Sequence, residues 1–105
     1  MATIAIDLDR DKLRAFCEKW KITEFALFGS VVRPEEFRED SDIDVLVRFA
    51  DDAEWSLLHM VDMKEELETI FGREVDLLSR RGVERSVNPI RRDSILSSAV
   101  QLEVA

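Results

Sequence analysis

Apolar and polar residues along this chain follow two rhythms, and each change of rhythm marks an element. Leu13, Phe16, Cys17 and Trp20 recur at helical spacing, and Asp9 or Asp11 stands where a cap belongs. The pattern predicts a first helix over 9–20 with one buried face, on which Cys17 is a small core residue. The period then shortens. Glu24-Phe25-Ala26-Leu27-Phe28 predicts a buried strand ended by Gly29-Ser30. A polar segment from Val31 to Ser41, interrupted by Pro34, leads into Asp42-Ile43-Asp44-Val45-Leu46-Val47-Arg48-Phe49. There Ile43, Val45, Val47 and Phe49 make one apolar face, while the other face begins with two acids.

The helical period returns over 53–71, where Leu57, Met60, Met63, Leu67 and Ile70 form the expected core stripe. Asp51-x-x-Glu54 resembles a capping box at its start, and Gly72 is placed to end it. His59 is expected to be a surface or interface residue of this helix. Glu74-Val75-Asp76-Leu77-Leu78 predicts a third strand with Val75 and Leu77 on one face and Asp76 on the other. Asn88-Pro89 has the form of a cap followed by a first-turn proline, opening a last helix to about Ser97 anchored by Ile90 and Leu96. Val100, Leu102 and Val104 alternate as a short closing strand would.

The strand–helix–strand over 42–78 is expected to be a right-handed crossover between parallel strands. That topology sets Asp76 level with Asp44. The link from Ser30 to Asp42 is long enough to bend back at the same sheet edge. Gly29-Ser30 and the three aspartates are therefore expected at one rim.

Length and charge narrow the picture. The 105 residues read as one domain over 1–105, large enough for a single core but not for a catalytic and a substrate domain together. One cysteine precludes an internal disulfide and suits a reducing cytoplasm. No apolar run approaches membrane-spanning length, and the start from Met1 to Asp7 has neither a basic leader nor a long apolar stretch. A net charge of −8 argues against direct nucleic-acid binding. Residues 79–92 depart from that balance, with Arg80, Arg81, Arg85, Arg91 and Arg92 against Glu84 alone. This basic segment is either a landing place for phosphate or an acidic partner, or a solvated helix face.

The chemistry concentrates in the acids. Asp42 and Asp44, two apart on a strand, point the same way with backbones roughly 6.5–7 Å apart. Two unit charges at that spacing repel by about 2–3 kcal/mol at an effective dielectric near 20, and Asp76 adds to the cost. Hard oxygen ligands with no nearby histidine or cysteine suit Mg²⁺ or Mn²⁺. Gly29-Ser30 supplies the complementary half, since a glycine at a strand end lets amide N–H groups and a hydroxyl approach phosphate oxygens. Together these make a nucleoside triphosphate site.

Leu27-Phe28-Gly29-Ser30, Ser41-Asp42-Ile43-Asp44-Val45-Leu46-Val47 and Glu74-Val75-Asp76-Leu77-Leu78 resemble the minimal nucleotidyltransferases of the DNA polymerase beta superfamily. The likeness extends through Asn88-Pro89-Ile90-Arg91-Arg92. It implies an α/β (α+β) fold, a small mixed sheet with helices packed on one side. It implies Asp42 and Asp44 as metal ligands, with Asp76 completing the cage and assisting deprotonation of the acceptor. Gly29 and Ser30 would hold the triphosphate, with Arg33 adding charge. Eleven residues separate Ser30 from Asp42 where the family shows ten, and Arg33-Pro34 stands where many members carry glycine. Both differences predict a reshaped phosphate loop.

Members of this kind resemble the antitoxin halves of toxin–antitoxin pairs whose partner is a helical HEPN-domain toxin. The resemblance implies ATP as donor and transfer of AMP to a hydroxyl of that partner. The chain has no tyrosine, so self-modification on tyrosine is impossible. Two other readings stand beside this one: a stoichiometric toxin-binding protein with a non-catalytic nucleotide site, and a nucleotidyltransferase for small molecules. The oligomeric state is open, a homo-oligomer included.

Overall fold

The computed structural model describes residues 4–105; the three residues that open the chain, part of the stretch read above for a leader, lie outside that range. Four strands form one mixed sheet in the order β3-β2-β1-β4. β1 (Ile22–Phe28) runs antiparallel to β2 (Ile43–Phe49) and to β4 (Val100–Leu102), while β3 (Val75–Ser79) lies parallel to β2. The crossover from β2 to β3 is made by α2 (Leu57–Phe71), as the sequence led us to expect.

Helices α1 (Arg10–Lys19) and α2 cover one face. Asp9 caps α1 by accepting from the Lys12 amide at 3.1 Å. Leu13, Phe16 and Cys17 of α1 and Met63 and Leu67 of α2 join Phe25, Leu27, Ile43, Val45, Val47 and Val75 in the main core. The apolar face read from the alternation of β2 is the face that these helices bury. Burial pushes the Cys17 thiol up to about 11, which suits an inert packing residue.

The C-terminal part adds cover to the opposite face. Helices α3 (Arg80–Glu84) and α4 (Pro89–Ser98) bring Val83 and Ile95 onto Ala26, Phe28 and Leu46. The expected one-sided helical layer thus holds for α1 and α2 alone, because α3 and α4 lie on the other face over a second small core. α3 has no counterpart in the sequence reading. Its five residues are too few for a periodic signal and include Gly82; Ser79 opens it by accepting from the Gly82 amide at 3.1 Å.

Three local expectations require correction. α2 begins at Leu57, not 53, and its capping box is Ser56 with His59, not Asp51 with Glu54. The Ser56 amide donates to His59 Nδ1 at 3.0 Å, and the indole N–H of Trp55 donates to the Trp20 carbonyl at 2.8 Å. That anchor holds the chain before Ser56 out of the helix. Leu57, read as part of the core stripe, therefore lies in the outward first turn, 85% exposed. In α4 the buried anchor is Ile95, whereas Ile90 is 83% exposed. Five residues turn a helix by roughly 140° beyond a full circle, so the two cannot share a face. Asn88 and Pro89 do open α4, with Asn88 accepting from the Arg91 amide at 3.1 Å.

No helix of the described residues is long and apolar enough to cross a membrane.

Candidate functional site

The pairing registers bring the motif residues together. Phe28 stands opposite Asp44 across β1 and β2, and Asp44 stands level with Asp76 across β2 and β3. In-register partners share a face, and Phe28 faces α4. Asp44 and Asp76 consequently occupy the face that α3 and α4 cover, beyond the end of that cover. Asp42 lies just before β2, exposed, at the same rim.

Gly29 follows Phe28 and opens a short 3-10 turn, Gly29–Val32, that contains Ser30. Two features fix its identity. Its φ of +73° is a region that only glycine enters at no cost, and a Cβ there would overlap the Asp44 carboxylate, with its Cγ at 3.1 Å. The turn and the acid are thus in direct contact. This contact and the surrounding packing withdraw Asp44 from water.

Asp44 is accordingly raised from 3.8 to about 6, first by burial, then by the negative charges of Asp76 and Asp42. Arg33 and Arg91 act in the opposite sense. Arg33 closes the turn, its amide donating to the Ser30 carbonyl at 2.9 Å while its side chain pairs with Glu36. Pro34 follows without disturbing that closure.

Two residues were missed by reasoning from sequence. Arg91 belongs to the basic run that charge counting singled out, but only α4 shows that its charge is felt at Asp44. Arg73, in the turn before β3, carries no motif at all. Its guanidinium donates to the carbonyls of Arg38, Glu39 and Ser41 at 3.1, 2.9 and 3.2 Å and stacks over Phe37 at 4.5 Å. It fastens the long loop that delivers Asp42 to the rim.

The donor set of three carboxylates suits a hard divalent cation. None of the three forms an ion pair with a described residue. As the side chains stand, no three His, Cys, Asp or Glu among the described residues are gathered tightly enough to hold a metal ion. Like charges with no cation between them repel, which favours that spread.

A match to the nucleotidyltransferase domain over residues 10–102 places nearly the whole chain. The chain belongs to that family and is an enzyme of nucleotidyl transfer. A Methanocaldococcus jannaschii protein, provisionally named a protein adenylyltransferase, is 40% identical over 84 residues, covering 80% of this chain and 83% of its own length. A solved structure described as a minimal nucleotidyltransferase, also provisionally, superposes with a TM-score of 0.67 at 35% identity, covering 89% of this chain and 88% of its own. A Shewanella oneidensis complex of a tri-AMPylated HEPN toxin with its MNT antitoxin aligns with a TM-score of 0.58 at 20% identity. That match covers 88% of this chain and 66% of the other, and speaks for the fold alone.

Proposed function

We propose that this chain is the antitoxin of a toxin–antitoxin pair and transfers AMP from ATP to a hydroxyl of a HEPN-domain partner. The observation that carries the reading is the single rim shared by the Gly29-Ser30 turn, Asp42, Asp44 and Asp76. The name of the 40%-identical relative supports protein adenylylation, and the AMPylated toxin of the Shewanella complex supports the class of acceptor.

In this reading the amides and hydroxyl of Gly29-Ser30 orient the triphosphate. Arg33 and Arg91 add positive charge beside it. Asp42 and Asp44, with Asp76, are the ligands for Mg²⁺ or Mn²⁺. Such an ion, when bound, neutralises phosphate charge and lowers the pKa of an acceptor hydroxyl. The acceptor oxygen bonds to the α-phosphorus, the bond from that phosphorus to the β-phosphate oxygen breaks, and pyrophosphate leaves. Asp76, exposed on β3, takes the acceptor's proton. The donor parts lie on this chain and the acceptor hydroxyl on the partner, so the two halves meet only in the complex.

The test is transfer of labelled AMP to a co-expressed HEPN-domain protein in the presence of MgATP. Asp44→Asn is expected to lower it by at least about 10³-fold, as loss of a group that stabilises transition-state charge does. Labelling that survives the substitution refutes this mechanism. Inhibition of the partner that survives while labelling is lost supports the stoichiometric alternative instead.

A further inference from the structure

Asp42 is exposed and lies at the end of a long loop, one residue outside the paired part of β2. Both peptide groups that flank its Cα are nevertheless held. The Ser41 carbonyl accepts from the Arg73 guanidinium at 3.2 Å, and the Ile43 amide donates to the Glu74 carbonyl at 2.9 Å. Each peptide group is planar, so fixing the two sets the backbone of Asp42 and the direction of its Cα–Cβ bond.

Both holds come from one dipeptide, Arg73-Glu74, and that dipeptide is itself pinned to α2. On its near side the Gly72 amide donates to the Glu68 carbonyl at 2.8 Å. On its far side the Val75 amide donates to the Glu68 carboxylate at 3.1 Å. Arg73 forms no ion pair among the described residues. Its Nη1 instead meets the carbonyls of Arg38, Glu39 and Ser41, while the guanidinium lies over Phe37. Three carbonyl dipoles converging on one point repel unless a cation fills it. Loss of the guanidinium leaves them unpaired and the 38–41 turn free to open. The positive charges felt at Asp44 are those of Arg33 and Arg91, not Arg73. Arg73 thus acts on the acids through geometry and not through its field.

We propose that Arg73 is a positioning residue for metal binding, holding the backbone of Asp42 so that its carboxylate is presented together with Asp44 and Asp76. The inference rests on the metal role proposed for those three acids. The hold matters because like charges repel while no cation lies between them. Asp42, outside the strand, is the acid that this repulsion displaces most easily, and Arg73 keeps its backbone in place.

The experiment measures Mn²⁺ binding to the isolated full chain by the electron paramagnetic resonance of the free ion, followed into the millimolar range. It needs neither partner nor transfer. Arg73→Ala is expected to weaken binding by about 10–100-fold, the scale for partners that orient a metal ligand, with the fold checked by circular dichroism. In the metal-free variant the Ile43 amide is expected to lose protection against hydrogen exchange. Asp42→Ala is expected to leave only the weak binding of Asp44 and Asp76. Adding Arg73→Ala to it is expected to cost nothing further, because the two residues act as one. Arg73→Gln, with two donors for three carbonyls, carries the same comparison in milder form should Arg73→Ala not fold.

Full affinity in the Arg73 variants overturns the proposal. So does a loss that adds to that of Asp42→Ala, which would mark a general loosening of the fold. An Ile43 amide that stays protected while affinity falls overturns the route through the backbone. A wild type that binds no Mn²⁺ refutes the metal role of the acids, and this inference with it. Mn²⁺ binding that follows the expected pattern without any AMP transfer supports the inference and refutes the transfer reading alone.

Discussion

Asp44 is the residue on which most of the local physics converges. It is half-buried against Gly29, faces two like charges and has no ion-pair partner among the described residues. A carboxyl held near 6, where the unfolded chain has 3.8, penalises the metal-free fold once it ionises. The penalty is absent below the unfolded value, grows as pH rises, and is complete above about 6. We expect Asp44→Asn, in chelator, to be more stable than the parent at pH 8, by well under the roughly 3 kcal/mol that two pKa units would give, because solvent screens a half-buried carboxyl. Thermal melts are expected to show that gap closing toward pH 4. A gap that is constant across the range would mean that Asp44 is not the titrating group. The charge cost of these acids was legible in the sequence, since strand alternation alone sets Asp42 and Asp44 on one side. The contact with Gly29 was not, because it joins two strands through a register that no local pattern encodes.

At the scale of elements, periodicity found what was long and repetitive. α1, the strands around Phe25, Val45 and Val75, and the Gly72 stop of α2, at φ +69°, all lie where the pattern put them. It failed where a distant contact overrode local preference. Trp55 reaches back to Trp20 and packs edge to face against it, ring centroids 5.1 Å apart, so the helix waits for Ser56. The sequence Ser56-x-x-His59 was available, but histidine is not the residue that usually closes a capping box, and the acids upstream look more familiar. Ser56→Ala is expected to destabilise the protein by about 0.5–2 kcal/mol through loss of the cap, measured by urea unfolding with an unchanged m-value. No loss would assign the helix start to the Trp55 anchor alone.

The whole molecule carries −8, with its positive charge concentrated between 79 and 92. Self-repulsion on this scale weakens a compact state and is screened by salt. The metal-free protein is therefore expected to gain several degrees in Tm between about 10 and 200 mM NaCl at neutral pH, a rise of order 1 kcal/mol for a domain of this size. A Tm indifferent to salt would show that the local pairing of arginines with acids, such as Arg80 with Glu24 and Glu84, already balances the field. The parallel crossover was the global feature most accessible to reasoning, because handedness and strand faces follow from general rules. The second small core under α3 and α4 was legible only through Leu96, since Val83 stands alone in a polar stretch and α3 is too short to show a period.

The contact between Gly29 and Asp44 has one further consequence. A phosphate held by the turn and a cation held by the acid would lie on either side of a single van der Waals boundary. Two ligands so placed cannot bind independently. Whatever factor the cation contributes to nucleotide affinity, the nucleotide must return to the cation, by thermodynamic reciprocity. Without its companion each would meet only half of a compensated charge distribution. In the proposed reaction, the missing Cβ at position 29 would thus be what couples the two occupancies into one event.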